Sequence, residues 1–173
     1  MTRLALFAAT VVLCGCTASV TTTQKDSFGG EFQTPIGWTI ENGPGKLAVL
    51  KQPRGAGTVR LLEFPQGTTC DNALRENRQG LNGVRPWKQN GDRATVVVAG
   101  VNDGPTIGSA LCEITAAGTF VVTVTAPKVV WLEIKKDLYS IAESYRRNDK
   151  RVFDATPLRR VNPDGTISKP KDD

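Results

Sequence analysis

The chain has 173 residues, 39% hydrophobic and 23% charged, enough for one globular domain with its own core and unlike either a disordered chain or a multi-span membrane protein. It contains no histidine, which excludes Ser-His-acid and Cys-His catalysis. Its formal net charge of +5 is local: residues 146–173 hold eight basic and five acidic side chains while residues 17–145 hold 13 and 12, so no basic face for nucleic acid is expected.

Met1-Thr2-Arg3 places a positive charge before an uncharged run over residues 4–13, the pattern of a signal peptide. Ten residues are half of the about 20 needed to cross a bilayer, so the run is not expected to persist as a transmembrane helix. Leu13-Cys14-Gly15-Cys16 follows. It resembles the lipobox of bacterial lipoproteins, in which an aliphatic residue and two small ones precede the cysteine that takes a diacylglycerol. Small residues suit a chain lying extended in a narrow peptidase cleft, and a thiolate is the nucleophile that accepts the lipid. The resemblance implies residues 1–15 as a signal peptide, cleavage before Cys16 and lipid on Cys16. Thr17 comes next, and under enteric sorting rules a residue other than Asp there implies an outer-membrane anchor facing the periplasm. An ordinary secretory peptide is the alternative and leaves export unchanged.

Once Cys14 has left and Cys16 is acylated, Cys70 and Cys112 are the remaining thiols. In an oxidising compartment they are expected to pair. Without histidine, two cysteines cannot complete a tetrahedral site, so neither metal nor cofactor is expected.

Residues 16–27, rich in Thr and Ser, read as a lipidated tether, with the folded domain over 28–147. Extended segments are expected at 31–34 and, after the turn Pro35-Ile36-Gly37, at 38–41, where apolar and polar residues alternate. Asn42-Gly43-Pro44-Gly45 turns the chain into 46–51, and Pro53-Arg54-Gly55-Ala56-Gly57 turns it again into 58–64, an antiparallel meander. Residues 69–81 read as a helix with Thr69 or Asp71 as N-cap and Gly83 beyond its end. Val, Ile and Thr dominate 94–101, 107–115 and 119–126, which suits strands, and Ala116-Ala117-Gly118 makes the last two a hairpin. Over 131–146, Ile134, Leu138, Ile141 and Tyr145 recur at helical spacing, while Lys135, Lys136, Asp137 and Glu143 fall off the stripe. Residues 148–173 carry prolines and charges without a period and read as an extended or disordered tail.

The order gives an α+β domain, an antiparallel sheet with two main helices laid on it. Phe32-x-x-Pro35-x-Gly37-Trp38 and the closing Ser144-Tyr145-Arg146 are similar to motifs of the PsbP-like fold, shared by bacterial lipoproteins of the DcrB type. That resemblance spans 28–147 and implies a non-enzymatic module that binds or supports protein complexes. It carries no catalytic residue.

Candidate chemistry is sparse. Gly43-Pro44-Gly45-Lys46 lacks the first glycine and the Ser or Thr of a phosphate loop and reads as a turn. Ser109, in Gly108-Ser109-Ala110, lacks the second glycine of a nucleophile elbow, leaving a Ser-Lys dyad as its one catalytic option. Asp103-Gly104 is a turn. Arg85, Trp87 and Lys88 form a candidate interaction loop, against the alternative that Trp87 folds onto the core as Trp38 and Trp131 are expected to. The composite expectation is a lipid-anchored cell-envelope accessory module with a membrane contact through Cys16 and a protein partner. A carrier or sensor holding a small apolar ligand between sheet and helix is the alternative, and a hydrolase a distant one.

Overall fold

A computed structural model describes residues 21–55, 57–76, 88–90, 93–98 and 105–154. β1 (Thr21–Lys25) and β2 (Gly30–Pro35) form a hairpin in which Thr21 faces Pro35 and Lys25 faces Glu31. β3 (Thr39–Gly43), β4 (Leu47–Lys51) and β5 (Thr58–Phe64) follow as the expected meander. Then come α1 (Cys70–Glu76), β6 (Lys88–Asn90), β7 (Arg93–Val98), β8 (Thr106–Thr115), β9 (Gly118–Pro127) and α2 (Trp131–Ser144). β10 (Arg146–Arg147) and β11 (Lys150–Arg151) close the order.

The α+β class holds, with two antiparallel sheets in place of one. A large sheet runs β3-β4-β5-β9-β8-β7-β6, and a small one runs β1-β2-β10-β11. Side chains alternate across each strand, so β9 serves two cores. Phe120, Val122, Val124 and Ala126 face a main core with Ile107 and Leu111 of β8, the α2 residues Trp131, Leu138, Tyr139, Ile141 and Ala142, and Phe32 of β2. Val121, with Ala110 and Cys112 of β8, faces a second core with Cys70, Ala73 and Leu74 of α1. Cover on both faces explains why the β8 and β9 sequences read as almost continuous runs of apolar and small residues. Among the described residues no helix is long and apolar enough to cross a membrane.

Thr69 is the N-cap of α1: its Oγ1 accepts from the Asn72 backbone N–H at 3.3 Å. The helix is described only through Glu76, so the rest of the expected 69–81 segment lies outside the described residues. α2 carries the expected stripe, with Leu138, Ile141 and Tyr145 buried, and its packing face is widened by Trp131, Tyr139 and Ala142. It ends at Ser144 because Tyr145 turns extended, at φ −60 and ψ 127, and feeds β10 onto β2.

Two boundaries move outward. Thr21–Lys25, read from sequence as tether, is a paired strand. It is almost wholly exposed and is held by its backbone ladder together with a Gln24 Nε2 bond to the Trp38 carbonyl at 3.2 Å, so hydrophobic patterning was silent about it. At the other end Val152 and Phe153, assigned to the polar tail, are 7% and 1% exposed in the main core. The cause is a two-residue hairpin loop: Asn148 and Asp149 both take positive φ, 51 and 61, so the chain folds back after β10.

Candidate functional site

The ends of the sheets differ in chemistry, and one gathers most of the buried charge. Asp26, in the β1–β2 turn, is 8% exposed. Its Oδ1 accepts from the backbone N–H groups of Phe28 at 3.0 Å and Gly30 at 2.7 Å, which fixes the turn. Its Oδ2 accepts from the Tyr145 hydroxyl at 3.0 Å, joining that turn to the end of α2. The Tyr145 ring lies so close over β2 that a Cβ at position 30 would sit 2.2 Å from its hydroxyl oxygen, so the site requires glycine. Burial, followed by the negative field of Asp26, raises the Tyr145 hydroxyl far above its ordinary 10.0, so at neutral pH it is a fixed donor.

Glu63 of β5 stands nearby with a side chain 2% exposed. It pairs with Lys46 from the β3–β4 turn through Oε1, and its Oε2 lies 3.5 Å from Arg147 Nη2. Arg147 also covers the Phe28 ring at 5.9 Å from its centroid. Since Glu63 belongs to the large sheet and Arg147 to the small one, this ion pair links the two sheets at their common end. Removing both cations would leave a buried carboxylate uncompensated.

Next to this network is a cleft of about 220 Å³ lined by Lys25, Asp26, Gly29, Gly30, Glu31, Arg146, Asn148 and Asp149. Its rim mixes both signs of charge, and Arg146 Nη1 donates to the Asp149 carbonyl at 3.3 Å. Such a rim suits polar protein contacts better than one small anion or cation. Among the described residues no group of three His, Cys, Asp or Glu side chains is placed to hold a metal ion.

A second polar group lies inside the main core. Ser109 Oγ, Tyr139 Oη and Trp131 Nε1 are buried without hydrogen-bond partners. Burial raises the Tyr139 hydroxyl, and the nearby Ser109 opposes part of that rise. Among the described residues no lysine hydrogen-bonds the Ser109 hydroxyl. The layer between sheet and α2, where a carrier would keep its ligand, is filled by Trp131, Leu138, Tyr139 and Ile141, each at most 2% exposed.

Cys70 and Cys112 are bridged, with Cα atoms 5.7 Å apart and a sequence separation of 42, and the bond pins α1 to β8. Trp38 and Trp131 are core residues, as expected. Cys16, Arg85 and Trp87 lie outside the described residues, and Lys88 opens β6. The sequence reading missed Asp26, Glu63 and Arg147. Asp26 lies in the segment that its composition marks as tether, and partners such as Asp26 and Tyr145, 119 positions apart, leave no local pattern.

Comparison with known proteins finds no matching family and no matching curated protein. Among solved structures, the solution structure of cyanobacterial PsbP (CyanoP) from Synechocystis sp. PCC 6803 is similar, at 14% sequence identity and a TM-score of 0.48, covering 78% of this chain and 96% of that chain. The functional reading of this chain therefore rests on its own residues.

Proposed function

We propose that the protein is a lipid-anchored, non-enzymatic module of the cell envelope that presents its charged end to a protein partner. The observation carrying this reading is the direction of β1. Thr21, the first described residue after the lipobox, faces Pro35 at one end of the small sheet, and Lys25, four residues on, faces Glu31 beside the cleft at the other. A chain tethered before Thr21 holds the cleft away from its membrane. The lipobox supplies the anchor, the missing histidine removes the commonest catalytic machinery, and the rigid network beneath the cleft keeps its rim in one shape.

Two substitutions test the two halves. Cys16→Ser should move the protein from the membrane to the soluble fraction, and retention after carbonate washing would place the anchor elsewhere. Arg146→Glu, at an exposed rim position, should abolish in-cell crosslinking to the partner while leaving membrane attachment and Tm unchanged. Crosslinking that survives Arg146→Glu would move the partner surface away from the cleft.

A further inference from the structure

Three large hydrophobic side chains stand strongly exposed among the described residues: Ile36 at 65%, Val129 at 88% and Leu132 at 61%. Scattered single exposures of this kind are ordinary, but these share one end of the molecule. Strand register establishes it. Thr39, Lys51, Thr58 and Thr125 are successive partners across β3, β4, β5 and β9, and Pro127 faces Thr106, so all mark the same edge of the large sheet. Ile36 lies in the turn just before Thr39, closed by a Trp38 N–H bond to the Pro35 carbonyl. Val129 follows Pro127 by two residues, and Leu132 is in the first turn of α2. From β3 to β9 is three strand spacings, about 14 Å.

The chain arrives at this same end, because Thr21 pairs with Pro35, the neighbour of Ile36. Cys16 precedes Thr21 by five residues, a reach of at most about 18 Å even when fully extended. A lipid on Cys16 therefore keeps this end of the domain within reach of the bilayer. Of the charges here, Lys51 pairs with Glu41, and the exposed Lys128 and Glu133 carry opposite signs.

We infer that Ile36, Val129 and Leu132 form a second, apolar contact with the bilayer that holds the lipid of Cys16, seating the domain upright with its cleft pointing away. The inference rests on the anchor reading. It gives the three side chains an environment in which their apolar surface leaves water at the boundary of headgroups and acyl chains. Because the attraction is apolar, the contact is independent of ionic strength.

The test uses the full chain, acylated in cells and reconstituted into vesicles of phosphatidylethanolamine and phosphatidylglycerol with a diazirine-bearing acyl chain. Photo-adducts mapped by mass spectrometry should fall on Ile36 and on the peptide containing Val129 and Leu132, at low and at high salt. Replacing all three by serine, with Cys16 intact, should reduce these adducts about tenfold while the protein stays membrane-bound. Adducts that are absent from these residues of the acylated chain, or as frequent at Glu31 and Asn148, overturn the inference and leave the anchor standing. Labelling that vanishes in high salt also overturns it. If mass spectrometry finds no acyl group on Cys16, the anchor reading fails and the seating fails with it.

Discussion

The two ends of this fold are closed by opposite chemistry. At the cleft end, Asp26, Tyr145, Glu63 and Arg147 are buried or nearly so, and join the β1–β2 turn and the end of α2 through hydrogen bonds and the two sheets through an ion pair. At the other end, Ile36, Val129 and Leu132 project with little cover. A buried polar network contributes to stability only while every partner is present, whereas an exposed apolar side chain contributes almost nothing and is free for another use. The difference separates residues that hold the fold from residues that the fold displays.

The largest effect sets the scale and belongs to neither end. Replacing Cys70 and Cys112 together by alanine should cost about 4 kcal/mol in the chain-entropy model for a 42-residue separation, read from urea unfolding. A cost near zero would mean that α1 is held by the burial of Ala73 and Leu74 without the bridge. At the cleft end, Gly30→Ala should cost about 3 kcal/mol, because the new methyl meets the Tyr145 hydroxyl and ring and cannot be relieved without moving α2.

Tyr145→Phe should cost about 2 kcal/mol by leaving Asp26 Oδ2 without its donor. This variant also tests the pH dependence. The Tyr145 hydroxyl is raised in the folded state, so its contribution is fully present below pH 10.0, the ordinary tyrosine value, and is lost as pH rises above it. Thermal melts should therefore show a steeper alkaline decline for the native protein than for Tyr145→Phe. Equal declines would show that burial of Tyr145 has little weight in the folded state.

The smallest expected effect is the most informative about the contrast. Ile36→Ser with Leu132→Ser should change stability by less than about 0.5 kcal/mol in solution. A loss of several degrees in Tm would mean that these side chains pack in the folded protein and would erase the distinction between the ends.

How far the sequence could be read follows from where its signals lie. The strand over 58–64 and the α2 stripe were legible because each buries side chains at a fixed period, and the strands over 107–115 and 119–126 because Val, Ile and Thr dominate them. β1 was not, because an exposed edge strand held by backbone bonds has no apolar period to show. Val152 and Phe153 were lost in a charged tail because a two-residue hairpin loop at Asn148 and Asp149 gives only a weak signal. Ile36 lies in the expected turn, but nothing local told that it would share an end of the molecule with Val129 and Leu132.

By itself the sequence determined the α+β class, the pairing of Cys70 with Cys112 and the absence of histidine chemistry. These depend on composition, on periodicity within one element, or on a count of thiols. Only the tertiary structure decided that there are two sheets, that Asp26 and Glu63 are buried beside Tyr145 and Arg147, and which end of the molecule the incoming chain meets. Those facts are set by the register of strands far apart in sequence, where backbone hydrogen bonds between residues such as Arg146 and Glu31 fix positions that no local pattern encodes.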